Sequence, residues 1–478
     1  MKFTTRLQLS FMMFLEFFIW GAWFVTLGTF LASNLHANGV EIGFVFSTQS
    51  WGAIIAPFII GLIADRFFNA EKILAILHLV GAALMYQMYN ATEIAVFYPY
   101  VLTYMILFMP TLALVNSISF NQMTDPEKEF SSIRVLGTIG WIVAGLLISY
   151  LFHWDAEGSL KKGFLKNTFL MGSVASLVLG LFSFTLPKTP PRVARGTKVR
   201  ISDILGLDAL KLLKDKNFAL FFIASILICI PLAFYYQNAN PFLSSIGVEN
   251  PTAKMTIGQA SEVLFLLLLP VFFKKFGFKI TILIGMLAWA IRYALFAYGN
   301  AGELSFMLII GIALHGVCYD FFFVSGQIYT NAKAGIKYKS AAQGLITLAT
   351  YGLGMLIGFK IAGLITDGYT ISEKVFDWRM IWIIPSGIAL VVFLLFAIFF
   401  NDKNEDRRSI ITSSTPTSPG ASSASSSARR SPIDTGDTSI GDAIIESSIR
   451  NRGRRIVSGP PGPRSTAGRA SGRPGARS

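Results

Sequence analysis

Apolar windows of roughly 18 residues or more, each long enough to cross a bilayer, recur from the N-terminus of this chain to about residue 400, separated by short polar turns. A hydrocarbon core about 30 Å thick takes roughly 20 such residues per helical crossing and offers no solvent to unpaired backbone groups. The chain must therefore fold as an all-α integral membrane protein whose helices satisfy their own N–H and C=O groups. Charge content agrees, at 14% of 478 residues against about 25% in ordinary soluble domains.

We place twelve spans. Six lie near 8–32, 43–64, 71–89, 94–121, 134–153 and 168–186, and six near 217–236, 256–273, 278–298, 303–331, 339–366 and 378–400. The first is longer than a signal-peptide core and lacks a small-residue cleavage site, so it reads as a retained helix. Lys2, Arg6, Arg66, Lys72, Lys128, the run from Lys188 to Lys216, Lys274, Lys275, Lys279, Lys333, Lys337 and Lys339 fall in loops on one side. Excess Lys and Arg marks the cytoplasmic side, which puts both termini there; Lys161, Lys162 and Lys166 are the main exception.

The formal charge of +14 resides mainly in those loops and in the tail, so it reads as topology and solvated surface rather than a nucleic-acid site. Cys229 and Cys318 fall within spans and are expected as free packed thiols, with no disulfide and no metal site. Histidine is sparse and unclustered along the chain.

The Pro- and Arg-rich segment 187–216 separates the halves 1–186 and 217–400. It continues into a short amphipathic helix whose Ile204, Leu205, Leu207, Leu210 and Leu213 suit a membrane surface. The halves echo one another: Gln49 precedes Pro57 by eight residues and Glu262 precedes Pro270 by eight, and each helix runs out into a basic, Phe-containing turn. Residues 401–478 change to Ser, Gly, Pro and Arg without an aromatic side chain, a composition that supports no core and reads as a disordered, appended tail.

At GLIADRFF the chain resembles the major facilitator superfamily, whose loop between the second and third helices reads G-x-x-x-D-R/K-x-G-R. Gly61, Asp65 and Arg66 match, while Phe68 and Asn69 replace the usual Gly and Arg. The resemblance implies two six-helix bundles that rock about a central site, with Asp65 and Arg66 tying helix ends in one gate state.

Away from helix ends the spans hold few polar residues: Glu16, Arg134, Thr138, Gln237, Asn240, Gln259, Glu262, Arg292, His315, Tyr319, Asp320 and Lys360. Such residues are costly in a bilayer and mark functional sites or interhelical hydrogen bonds. Gln259 with Glu262, Gln237 with Asn240, and Arg134 with Thr138 and Trp141 each share one helix face. His315 and Tyr319 are spaced to face one cavity together. Pro231 and Pro241 bracket YYQNANPFL and are expected to loosen that helix where it lines the cavity. Paired amides suit a nucleobase edge, aromatic faces its ring, and a carboxylate with an arginine the vicinal hydroxyls of a sugar. A nucleoside fits all three; a sugar or oligosaccharide taken up with protons is the alternative. There is no metal cluster, nucleophile elbow or phosphate loop for a membrane enzyme, and twelve spans do not suit a receptor.

The N-terminal LSFMMFLEFFIWGAWFVTLGTFL, then IRVLGTIGW, QNAN, QASE and CYDFFFVSG resemble, in order, the proton-coupled nucleoside symporters of bacteria, the nucleoside and xanthosine permease group. The resemblance implies a multi-pass transporter of the bacterial inner membrane, working as a monomer without a cofactor. It makes Arg134, Thr138, Gln237, Asn240, Gln259 and Glu262 ligand positions, packs Tyr319 on the ligand, and makes Asp320 essential for proton coupling. Glu262 is the second candidate proton carrier. Trp141 and Tyr319 stand where the best-known member has Phe, and His315 where it has Tyr. A structural ion pair between Asp320 and Lys360 is the plainer reading of that aspartate.

Overall fold

The computed structural model describes residues 1–59, 68–191, 207–372 and 375–401. Gly61, Asp65, Arg66, residues 192–206 of the linker with Ile204 and Leu205, and the tail from 402 lie outside the described residues. The helices are α1 (Phe3–Trp23), α2 (Leu27–Asn34), α3 (Gly39–Ile59), α4 (Ala70–Asn90), α5 (Ile94–Gln122), α6 (Pro126–Leu146), α7 (Glu157–Lys161) and α8 (Asn167–Ser183) in the first half. In the second they are α9 (Lys216–Ser245), α10 (Pro251–Tyr298), α11 (Ser305–Tyr319), α12 (Ser325–Thr347), α13 (Met355–Gly368) and α14 (Trp378–Phe399). A small hairpin, Thr370–Ser372 with Val375–Phe376, precedes α14.

Among the described residues eleven helices are long and apolar enough to cross a membrane. The difference from twelve lies in α10, whose 48 residues take in both the 256–273 and 278–298 spans. A straight helix of that length would measure about 72 Å, but Gly277 interrupts it at φ 74°, ψ 178°. That left-handed φ is open to glycine at little cost. The first span is also divided, by a turn between Trp23 and Leu27.

Burial runs opposite to that of a soluble protein. Large apolar side chains such as Val174, Leu181, Ile223, Leu267 and Ile398 are exposed on the rim, whereas Glu16, Gln237, Arg292, His315 and Asp320 are enclosed. Within the first half α1 packs on α6 and α8, and α4 on α5 and α8; within the second α10 packs on α11 and α14, and α9 on α13 and α14. The linker's end forms a short 3-10 helix, Leu207–Lys214, which packs against α12 and α9.

The halves meet chiefly through α3 against α13 and α6 against α10. The Asp367 carboxylate at the end of α13 accepts the N–H groups of Gly39 and of Val40, the latter at 3.0 Å, which caps α3 from the other half. Reciprocally, Asp155 from the first half accepts the Thr252 N–H at 3.1 Å and the Ser149 hydroxyl at 2.5 Å, while Ser149 Oγ accepts the Ala253 N–H at 2.9 Å, capping α10. A carboxylate at a helix N-terminus meets both orphan donors and the positive end of the helix dipole. The helices so capped are the two that carry the Gln49–Pro57 and Glu262–Pro270 echo. Close approach at this end needs glycine: a Cβ on Gly28 would run into the Gln237 carbonyl, and one on Gly43 into that of Phe359.

Proline does not open α9 as the sequence suggested. The helix runs unbroken through Pro231 and Pro241, and Tyr293 Oη donates to the Pro231 carbonyl at 2.7 Å. In a packed bundle neighbouring helices supply such partners, so proline is tolerated. Among the described residues three π-helical stretches occur, at Leu147–Leu151, Asp320–Val324 and Leu348–Gly354.

Candidate functional site

The polar residues predicted for the site divide into two groups. Arg134, Thr138 and Trp141 on α6, Gln259 and Glu262 on α10, and Tyr319 on α11 are all partly exposed. Gln237, Asn240, His315 and Asp320 are enclosed, at 0%, 1%, 2% and 4% exposure.

The partly exposed group joins the halves of the chain. Arg134 has Glu262, Tyr319 and Tyr351 as its electrostatic neighbours, all from the second half. Its guanidinium carbon lies 4.0 Å from the centre of the Phe17 ring, and its Nε and Nη1 are buried without a hydrogen-bond partner. Buried donors without partners are uncommon in folded proteins and call for an explanation. Trp141 packs edge-on against Trp20, with ring centres 5.5 Å apart, and Trp20 also meets Phe24 and Phe108. Tyr319 and Tyr351 share a short hydroxyl–hydroxyl hydrogen bond. Trp20, Tyr236 and Tyr351, all partly exposed, extend this surface and were not singled out in the sequence. Tyr236 had a signal beside Gln237; Tyr351 had none, because a tyrosine in an apolar run is usually a packing residue.

Asn240 is spent on the protein itself. Its Oδ1 accepts the Thr29 hydroxyl at 2.5 Å and its Nδ2 donates to Thr252 Oγ1 at 3.2 Å, bridging the halves. Gln237 Nε2 donates to the Gly39 carbonyl at 3.1 Å, while its Oε1 has no partner. In this structure both amides hydrogen-bond across the interface between the halves. Equal spacing on one helix face did not distinguish a cavity wall from a helix contact.

His315 is turned away from the partly exposed face. Its Nε2 lies 3.0 Å from Glu262 Oε1 and its Nδ1 lies 2.9 Å from Arg292 Nη1, so a carboxylate, an imidazole and a guanidinium form one line. Glu262 alone of the three reaches the open side, with its side chain 26% exposed. Asp320 opens the π-helical stretch after α11, and its Oδ2 has no hydrogen-bond partner. Lys360 is exposed and does not provide one, which removes the ion pair that the sequence allowed. As expected, Cys229 and Cys318 are free and buried.

Two of the histidines have carboxylate partners that the sequence did not show. His78 Nε2 lies 2.8 Å from Glu16 Oε2, so two of the four histidines each meet a glutamate from another helix. Contacts between residues 62 positions apart leave no local pattern in a sequence.

A family model described as Nucleoside H+ symporter matches residues 1–405. The Escherichia coli (strain K12) protein YegT is 43% identical over 409 residues, covering 84% of this chain and 95% of its own. Xanthosine permease of the same organism is 34% identical over 417 residues, covering 84% of this chain and 97% of its own. The crystal structure of the nucleoside transporter NupG superposes with a TM-score of 0.75 at 31% identity, over 84% of this chain and all of that one.

Proposed function

The chain belongs to the nucleoside H+ symporter family and moves nucleosides together with protons, and from that premise we propose how its residues divide the work. The observation that carries the proposal is that Arg134 of one half lies within electrostatic range of Glu262 and Tyr319 of the other, with two of its guanidinium donors buried and unpaired. A ligand held there contacts both halves, as alternating access requires. Arg134 donates to acceptors on the nucleoside and Glu262 accepts its sugar hydroxyls. Trp141 and Tyr319 pack on the base, and Thr138 and Gln259 complete the polar edge. Gln237, Asn240 and His315 support the site, the first two by tying the halves together at one end.

Asp320 carries the proton. A carboxylate this enclosed and without a partner is costly as an ion, while its neutral acid is not. Proton release and uptake then couple to movement of the π-helical stretch that holds it. The energy comes from the proton gradient and no bound cofactor is needed.

We further propose that α10 crosses twice, divided at Gly277, which makes twelve crossings in bundles 1–186 and 217–400 with both termini cytoplasmic. The caps on α3 and α10 then close the periplasmic end, and Gly61, Asp65 and Arg66 act at the cytoplasmic end. The setting is a bacterial inner membrane and the working unit a monomer. The tail from 401 is dispensable.

The test is uptake of a panel of labelled nucleosides in a transport-deficient bacterial strain, with and without an uncoupler, beside counterflow of labelled sugars. Nucleoside accumulation that the uncoupler abolishes is the expected result. Sugar counterflow without nucleoside counterflow would overturn the substrate assignment.

A further inference from the structure

Arg292 has an unusual set of neighbours for a fully enclosed arginine. Among the described residues no carboxylate pairs with it. Its Nη1 donates to His315 Nδ1 at 2.9 Å and touches Cys318 Sγ at 3.6 Å, and its guanidinium carbon stands 3.6 Å from the centre of the Tyr235 ring. Tyr235 lies on α9 and also stacks on His315, with ring centres 5.2 Å apart.

Donor chemistry fixes the imidazole between them. A guanidinium only donates, so Nδ1 of His315 must present its lone pair, and a neutral imidazole with that lone pair carries its hydrogen on Nε2. Nε2 points at Glu262 Oε1, 3.0 Å away, and donates to it. A second proton on Nδ1 would face the Arg292 N–H directly, donor against donor and cation against cation.

The groups facing His315 are Glu262 and Arg292 from the two legs of α10, Tyr235 from α9, and Cys318 and Tyr319 from its own helix. Among the described residues Arg292 supplies the single positive charge in contact with the ring and Glu262 the single negative one. The line as a whole is neutral, which is how a charge is kept inside a bundle at tolerable cost.

We propose that Arg292 is a positioning residue: it locks His315 in the Nε2–H tautomer and thereby presents Glu262 as a carboxylate with one oxygen occupied and the other free for a nucleoside hydroxyl. The role rests on the reading of Glu262 as a ligand residue. It also separates the two candidate proton carriers, because a Glu262 held in acceptor form by a histidine donor leaves proton carriage to Asp320.

The imidazole nitrogens can be read directly, since the full chain has four histidines, His36, His78, His153 and His315. Nitrogen-15 NMR of histidine-labelled, full-length protein without substrate reports the tautomer, and His315→Phe assigns the signal. The expected wild-type result is the neutral Nε2–H form from mildly acidic to mildly alkaline pH. Arg292→Met should release it to a mixture containing imidazolium, and Arg292→Lys, which keeps a donor, should restore it. Nucleoside affinity should fall about tenfold in Arg292→Met, the size of one charge-assisted hydrogen bond, and should not fall further when that change is added to His315→Phe.

An Nδ1–H tautomer or an imidazolium in the wild type overturns the lock. So does an equal loss of affinity from Arg292→Met with and without the imidazole. If Arg292→Met fails to insert, the wild-type and Arg292→Lys spectra still decide. The lock with no nucleoside binding would uphold this inference and overturn the ligand reading instead.

Discussion

Each half of the chain encloses a glutamate–histidine pair, and the two are built for different work. In the first half Glu16 on α1 is 0% exposed, and both its oxygens are taken, by His78 Nε2 at 2.8 Å and by the Thr111 hydroxyl at 2.6 Å. His78 Nδ1 is in turn 3.1 Å from Ser176 Oγ, whose own hydrogen goes to the His78 carbonyl at 2.9 Å. Four helices, α1, α4, α5 and α8, are pinned at one point. In the second half Glu262 has one oxygen on His315 and a side chain 26% exposed, with Arg292 behind the imidazole. The sealed pair is interhelical glue; the open one is bonded on one side and leaves a partly exposed carboxylate on the other, the group we propose as a ligand. Identical residue types therefore say little about role. The count of unfilled hydrogen-bonding positions says more.

The largest expected effect comes from breaking the sealed pair. Glu16→Ala leaves His78 and Thr111 without their acceptor, and losing one partner of a buried pair costs about 3 to 5 kcal/mol. Thermal unfolding in detergent and membrane abundance should both drop. Glu262→Ala should leave abundance near wild type while nucleoside uptake is lost. If the two variants lose stability alike, the distinction between the pairs fails. A double replacement sharpens it: Glu16→Leu with His78→Leu should recover much of the stability lost in the single change, because apolar packing often substitutes for a buried pair. Glu262→Leu with His315→Leu should recover no uptake.

Next in size is Asp320, the enclosed carboxylate that belongs to neither pair. One proton moved with a neutral substrate through 100 mV supplies about 2.3 kcal/mol, or about a fiftyfold concentration ratio. Asp320→Asn should reduce accumulation to equilibration while counterflow exchange persists. Accumulation with the pH dependence of wild type would place the proton elsewhere, and Glu16 with His78 would become the pair to test.

The smallest effect is expected at Gln259, one helical turn from Glu262 on the open side. Gln259→Ala should raise the Kd for nucleoside about two- to thirteenfold, the equivalent of one hydrogen bond of about 0.5 to 1.5 kcal/mol. Asn240→Ala loses a similar bond, but to Thr29 and Thr252. Its effect should appear in how firmly the halves close, read by cross-linking of cysteines placed at exposed positions of α3 and α13. An Asn240→Ala protein with normal closure and weakened binding would return that amide to the ligand.

Arg134, Glu262 and Tyr319 were legible as candidates because polar groups in apolar spans are few and costly, so each one has a reason to be there. His78, Tyr351 and Trp20 were not, since a lone histidine or aromatic in a span is indistinguishable from packing until its partners on other helices are known. Asn240 was legible as a candidate by the same signal, but its bonds to Thr29 and Thr252 were not, because periodicity reports a face and not what the face meets.

Solvent, and helix count to within the α10 break, were determined by the sequence alone. These follow from hydropathy and loop charge, which are sums over many residues and tolerate local error. The tertiary structure decided the pairing of Glu16 with His78, the line from Glu262 through His315 to Arg292, and the reciprocal capping of α3 by Asp367 and α10 by Asp155. Each depends on a few ångströms between atoms far apart in the chain, and a hydrogen bond is formed or lost within that distance.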